Sequence, residues 1–127
     1  LLKSGGKGRW EELQWGVMDR LPPDLAGIVA ELRKGLEELY GKRFRGLLLY
    51  GSYARGDQRE GSDVDLLVLL DGPVITSREI SRIQPVKWPL SLAHDIVLSV
   101  MPVSYQAYKK GATAFLRTVR HEAVRAA

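Results

Sequence analysis

Two uninterrupted apolar runs constrain this chain most. Gly46-Leu47-Leu48-Leu49-Tyr50 and Val64–Leu70 carry almost no polar residue. A strand with one wet face would alternate, so each run reads as a buried strand that needs helices packed against it. A third strand is expected over residues 95–100, Asp95-Ile96-Val97-Leu98-Ser99-Val100. Between and around these runs the apolar spacing turns helical. Leu25, Ile28, Val29, Leu32, Leu36, Leu39 and Tyr40 form one stripe, with Asp24 expected as its N-cap and Gly41 where a helix stops. Thr76-Ser77-Arg78-Glu79 reads as a capping box opening a short helix with Ile80 and Ile83, which Pro85 and Pro89 are expected to break. Ser104 is placed to cap a brief helix ending at Gly111, and Phe115, Leu116, Val119 and Ala123 mark a last one. The order of elements predicts an α/β (α+β) domain, a small mixed β-sheet flanked by helices.

Composition is consistent with that. The 127 residues suit one domain, and 45% hydrophobic content is enough for a core. Cysteine is absent, which removes disulfides and thiolate metal sites and suits a cytoplasmic protein. No apolar run approaches the ~20 residues of a membrane-spanning helix. Residues 1–6 lack the apolar segment of a signal peptide and read as a loose leader, and because residue 1 is Leu either an upstream start or a trimmed chain is expected. Trp10, Leu13, Val17 and Leu21 predict a short amphipathic helix before Pro22-Pro23. The net charge of +4 would attract polyanions but does not single out nucleic acid, for which no binding motif is present.

The polar residues that carry chemistry lie between the two apolar runs. Gly51 lets a backbone approach a ligand closely, and the Ser52 hydroxyl with neighbouring N–H groups can hold phosphate oxygens. Gly51-Ser52 alone reads better as a strand-to-helix turn with Ser52 as an N-cap, and the loop lacks the Gly-Lys-Ser/Thr of a Walker A motif. Asp63 and Asp65 add a second signal. At i and i+2 of an extended segment, two carboxylates share a face roughly 6.5–7 Å apart. Two acids opening a strongly apolar strand can converge on a divalent cation for phosphoryl transfer, although a turn residue and an edge residue would have the same spacing. Asp95 opens the expected third strand and becomes a third candidate if the strands are neighbours. Its own alternative is a solvated strand end. Arg55 and Arg59 could neutralise phosphate or face solvent. Arg117, Arg120, His121 and Arg125 read as a solvated basic helix face.

Gly51-Ser52, followed after ten residues by Asp63-Val64-Asp65, resembles the signature of the polymerase-β-like nucleotidyltransferases. The longer stretches, residues 50–57 and 61–68, resemble their minimal nucleotidyltransferase group. The resemblance extends more weakly from about Asp24 to Asp95 and to Phe115-Leu116-Arg117. It does not cover the start of the chain, so residues 1–23 are read as a leader with a short helix and the nucleotidyltransferase domain is expected over 24–127. The resemblance implies that Gly51 and Ser52 bind an NTP, with ATP the expected choice, and Arg55 is expected to join them by neutralising phosphate charge. It also implies that Asp63, Asp65 and Asp95 are catalytic and hold Mg2+, with two ions expected. The reaction implied is transfer of a nucleoside monophosphate to an acceptor hydroxyl. The group also implies a partner, a co-encoded small helical HEPN-type toxin that receives AMP, and a protein-binding antitoxin acting without catalysis is the alternative. A chain this short is expected to take its acceptor site from another chain or from a second copy of itself.

Overall fold

The computed structural model describes Leu21 and residues 23–126. The expected helix around Trp10, Leu13 and Val17 lies outside the described residues. Among the described residues nine elements, joined by one short 3-10 turn, follow in chain order. They are α1 (Pro23–Tyr40), β1 (Phe44–Tyr50), α2 (Ser52–Arg55), β2 (Val64–Leu70) and α3 (Thr76–His94), then β3 (Leu98–Ser104), α4 (Tyr105–Lys110), α5 (Ala114–Glu122) and β4 (Val124–Arg125). The strands lie in the order β3-β2-β1-β4. β1 is antiparallel to β2 and to β4, while β2 and β3 run parallel. A parallel pair needs a crossover, and α3 supplies it.

The two apolar runs are buried because both sheet faces are covered. Leu47, Leu49, Val64, Leu66, Val68 and Leu70 pack with the α1 stripe and Ile83 of α3. Leu48, Leu67 and Leu69 pack on the other face with Tyr105, Tyr108, Leu116 and Val119. Each fully buried leucine contributes on the order of 1.5–3 kcal/mol. This parity has a direct functional consequence. The odd-numbered residues of β2 face α4 and α5, so Asp65 points to the side where α5 ends.

Four expectations are corrected. Asp24 is not the N-cap of α1 but lies in its first turn, after Pro23, where its charge still complements the helix dipole. Of the α1 stripe, Leu39 is exposed while the other six positions are buried. Pro85 and Pro89 do not break the chain, because α3 runs through both as a 19-residue helix. Each proline removes one i→i−4 bond, and the packing of Ile83, Val86 and Leu90 against the core holds the helix across those gaps. The capping box does not form either. Residue Ile75 is the N-cap without a side-chain bond, and Glu79 turns inward, 4% exposed, to accept a 2.9 Å hydrogen bond from the Tyr40 hydroxyl.

Glu79 is held further by Arg43 at 3.7 Å and Arg82 at 3.6 Å. The Tyr40 hydroxyl is pushed well above its ordinary range by burial first, then by the bond to Glu79 and the charge of Glu79, against the opposing pull of Arg82 and Arg43. An acid whose pKa is raised by folding favours the fold below its unfolded pKa, and this contribution is lost as pH climbs beyond it. The melting temperature is therefore expected to fall as pH rises past about 10, and Tyr40→Phe should be less stable by about 1.5–3 kcal/mol at neutral pH. A variant whose melting curve tracks wild type from pH 8 to pH 11 would refute this.

Candidate active site

The turn after β1 is tightly specified. Gly51 takes φ +74 and ψ −154, and α2 follows as one turn of helix that closes on Gly56 in the left-handed region. Arg55 N–H donates to the Gly51 carbonyl at 3.0 Å, and the N–H groups of Gly56 and Asp57 both donate to the Ser52 carbonyl. Further along, Arg59 N–H donates to Ser62 Oγ at 2.8 Å and Ser62 N–H to the Arg59 carbonyl at 2.9 Å. The loop thus returns the chain to β2 with Asp63 immediately before the strand and Asp65 inside it.

Register does the rest. Asp65 is the partner of Tyr50 across β1–β2, which sets its carboxylate beside the Gly51 turn. The approach is so close that a Cβ at Gly51 would run into the Asp65 carboxylate. Tyr50, Gly51, Ser52, Arg55, Ser62, Asp63 and Asp65 line one cleft of about 430 Å³, closed on the far side by Phe115, Thr118, Val119 and Glu122 of α5. Tyr50 and Phe115 meet edge to face with ring centres 5.8 Å apart. Gly51, Ser52, Arg55, Asp63 and Asp65 are therefore brought together, whereas Arg59 does not line the cleft.

Asp95 is not brought to them. It ends α3 in the left-handed conformation, φ +50, rather than opening a strand, and it lines a separate hollow with Lys87, Trp88, Leu92 and Val97. Strand β3 begins only at Leu98, and the residue in register with Asp65 is Ser99. The physical reason is the continuous α3. A helix that survives its prolines runs to His94, and the next residue must reverse the chain, which Asp tolerates better than most. Among the basic residues expected on the last helix, Arg125 lies beyond it in β4.

Glu122 is the site residue that local sequence reasoning missed. It is the last residue of α5 and lies 71 positions from Gly51, yet its Oε2 accepts a 2.8 Å hydrogen bond from the Gly51 N–H. Its Oε1 accepts another from Arg55 Nη1 at 3.1 Å. No spacing or motif signals this, because the contact depends on where β4 pins the end of α5 against β1, Leu49 pairing with Val124.

The cleft is electronegative. The Asp65 carboxyl is pushed up by burial first and by the charge of Asp63 next, with Glu122 adding to and Arg55 opposing the shift. Burial, then Asp65 and Glu122, push the Tyr50 hydroxyl up as well. Adjacent carboxylates short of countercharge are suited to a hard divalent cation, which takes oxygen ligands. Among the described residues no three acidic, histidine or cysteine side chains converge as a complete metal cage. Magnesium does not require one, since it is commonly held by one or two carboxylates with phosphate oxygens and water. Asp63 and Asp65 therefore fit such an ion.

A Gly-Ser turn leaving one strand is faced by two aspartates, one just before and one inside the neighbouring strand of a helix-flanked mixed sheet, the arrangement expected from the sequence resemblance. The family model described as "Nucleotidyltransferase domain" matches residues 29–112, and the chain belongs to that family. It is a nucleotidyltransferase. A curated relative from Methanocaldococcus jannaschii, named "Putative protein adenylyltransferase MJ0141", is 33% identical over 80% of this chain and 97% of its own length. A crystal structure described as a "putative nucleotidyltransferase from Sulfolobus solfataricus" superimposes with a TM-score of 0.54 at 17% identity. It covers 96% of this chain and 90% of that one. A toxin-antitoxin crystal structure with AMP-PNP gives a TM-score of 0.53 at 18% identity, covering 76% of this chain and 70% of that one. At these identities the two structures establish the fold, in agreement with the α/β expectation. No helix among the described residues is long and apolar enough to cross a membrane.

Proposed function

We propose that this protein transfers AMP from ATP to a hydroxyl on a partner protein, releasing pyrophosphate. The observation that carries the reading is the single cleft shared by the Gly51-Ser52 turn and the Asp63–Asp65 pair. In this reading the turn and Arg55 bind the β- and γ-phosphates, through N–H groups and a guanidinium that suit phosphate oxygens. Asp63 and Asp65 hold magnesium, which when bound would neutralise charge developing on the reacting phosphate. Ser99, beside Asp65, is a hydroxyl and offers no third carboxylate to take the acceptor's proton. The acceptor is thus expected to bring its own acidic hydroxyl, and a tyrosine, with an ordinary pKa of about 10, suits this better than an aliphatic alcohol. The name of the relative supports a protein acceptor and the toxin-antitoxin neighbour supports a protein partner, and a co-encoded helical toxin of the HEPN type is the partner to try first.

Two measurements test this. Calorimetric titration with ATP should show binding that weakens at least about tenfold, or about 1.4 kcal/mol, when magnesium is chelated. Incubation with α-labelled ATP, magnesium and the co-encoded protein should then move label onto a tyrosine of that protein. Equal ATP affinity with and without chelator would remove the metal from the reading. Label that reaches only small molecules or nucleic acid would replace the protein acceptor.

A further inference from the structure

Glu122 occupies the groups that a triphosphate would need. Its two carboxylate oxygens take the Gly51 N–H at 2.8 Å and the Arg55 guanidinium at 3.1 Å. A backbone amide at a glycine turn and an arginine fork are donors of the kind that bind phosphate oxygens. A carboxylate bound by both takes the donors that phosphate oxygens would use there. Glu122 stands in a cleft that already holds Asp63 and Asp65, with Arg55 as its ion-pair partner, and Arg55 is shared with Asp57 at 3.2 Å.

We infer that Glu122 is an internal phosphate mimic, a latch that closes the nucleotide site and must be displaced when a triphosphate binds. This rests on the nucleotide-binding reading above and adds a regulatory element to it. Displacement has a structural consequence, because Glu122 is joined through Ala123 to β4. There Val124 and Arg125 pair with Leu49 and Leu48, and Ala126 N–H donates to the Leu47 carbonyl at 2.8 Å. Releasing the carboxylate frees the C-terminal end of α5 while β4 keeps its place on the sheet. The state of the nucleotide site is thereby reported at the C-terminal end of α5, next to β4.

The test uses the full chain and Glu122→Gln, which keeps an oxygen to accept from Gly51 but removes the charge. Glu122→Ala serves as a second variant, and both are checked for an unchanged fold by melting temperature. Magnesium-ATP and inorganic triphosphate are titrated into each protein. The latch predicts that both variants bind each ligand at least about tenfold more tightly than wild type. AMP, which lacks the β- and γ-phosphates, should gain much less. In amide hydrogen exchange, ATP should increase exchange at the end of α5 in wild type but not in Glu122→Ala. Variants that bind ATP as wild type does, or more weakly, would overturn the latch and leave nucleotide binding intact. The loss would then show that Glu122 positions Arg55 for the ligand. If neither wild type nor variants bind ATP or triphosphate, both the latch and the nucleotide reading fail.

Discussion

Asp63→Asn and Asp65→Asn are each expected to lose transfer of label from α-labelled ATP by roughly 10²–10³-fold or more, while the melting temperature holds or rises. Two effects separate here because, in the proposed function, the carboxylates serve the ligand and not the fold. Asp65 is partly buried beside Asp63, and burial with that neighbouring charge pushes its carboxyl above the usual carboxylate range. A carboxyl that holds its proton more tightly in the folded state than in the unfolded state penalises the fold whenever it is ionised. The penalty is absent below the unfolded pKa, grows between the two values and is complete above the folded one. Wild-type stability should therefore decline as pH rises through that window, and Asp65→Asn should lose this component. Thermal melts between pH 3 and pH 8, run beside the transfer assay, check both halves. An Asn variant that transfers label as well as wild type would overturn the catalytic role. One that melts several degrees lower would show that the carboxylate supports the fold after all.

Gly51→Ala should damage both fold and activity, the opposite pattern. The backbone at φ +74 and ψ −154 lies in a region populated almost solely by glycine. The added methyl would also meet the Asp65 side chain, with its Cγ 3.1 Å and its Cβ 3.2 Å away. Together these should cost about 2–4 kcal/mol, a fall in melting temperature of about 10 °C for a domain of this size. Gly56→Ala is the control. Gly56 is also left-handed, but nothing lies within 4 Å of a Cβ placed there. It should show only the backbone penalty of about 1–2 kcal/mol. The difference between the two variants reads the contact with Asp65. Equal losses would mean that Gly51 is needed only for its backbone conformation.

The halves of the site that lie close in sequence are legible in the residues themselves. A period of two places Asp63, just before β2, and Asp65, inside it, on one side of the extended chain, and the apolar run behind them announces the strand. The Gly51-Ser52 turn is likewise a local matter, since the apolar run over residues 46–50 gives way to a glycine and a polar loop. Where local chemistry permits more than one answer, it misleads. Thr76 with Glu79 has the composition of a capping box, but Tyr40, 39 positions away, takes the Glu79 carboxylate into the core. Pro85 and Pro89 look like breaks, but burial of Ile83 beneath α3 outweighs two missing backbone bonds.

By itself the sequence determined two buried strands, the turn between them and a pair of carboxylates on one face, because each depends on residues a few positions apart. Tertiary structure alone decided which other acidic residue lines the same cleft. Asp95 is adjacent to a strand in sequence, yet one left-handed residue at the end of α3 sends it to another hollow. Glu122 belongs to a helix that reads as an ordinary amphipathic element, yet the pairing of β4 with β1 delivers its carboxylate to Gly51. Register and packing between distant segments set both outcomes, and neither quantity is encoded in the spacing of neighbouring residues.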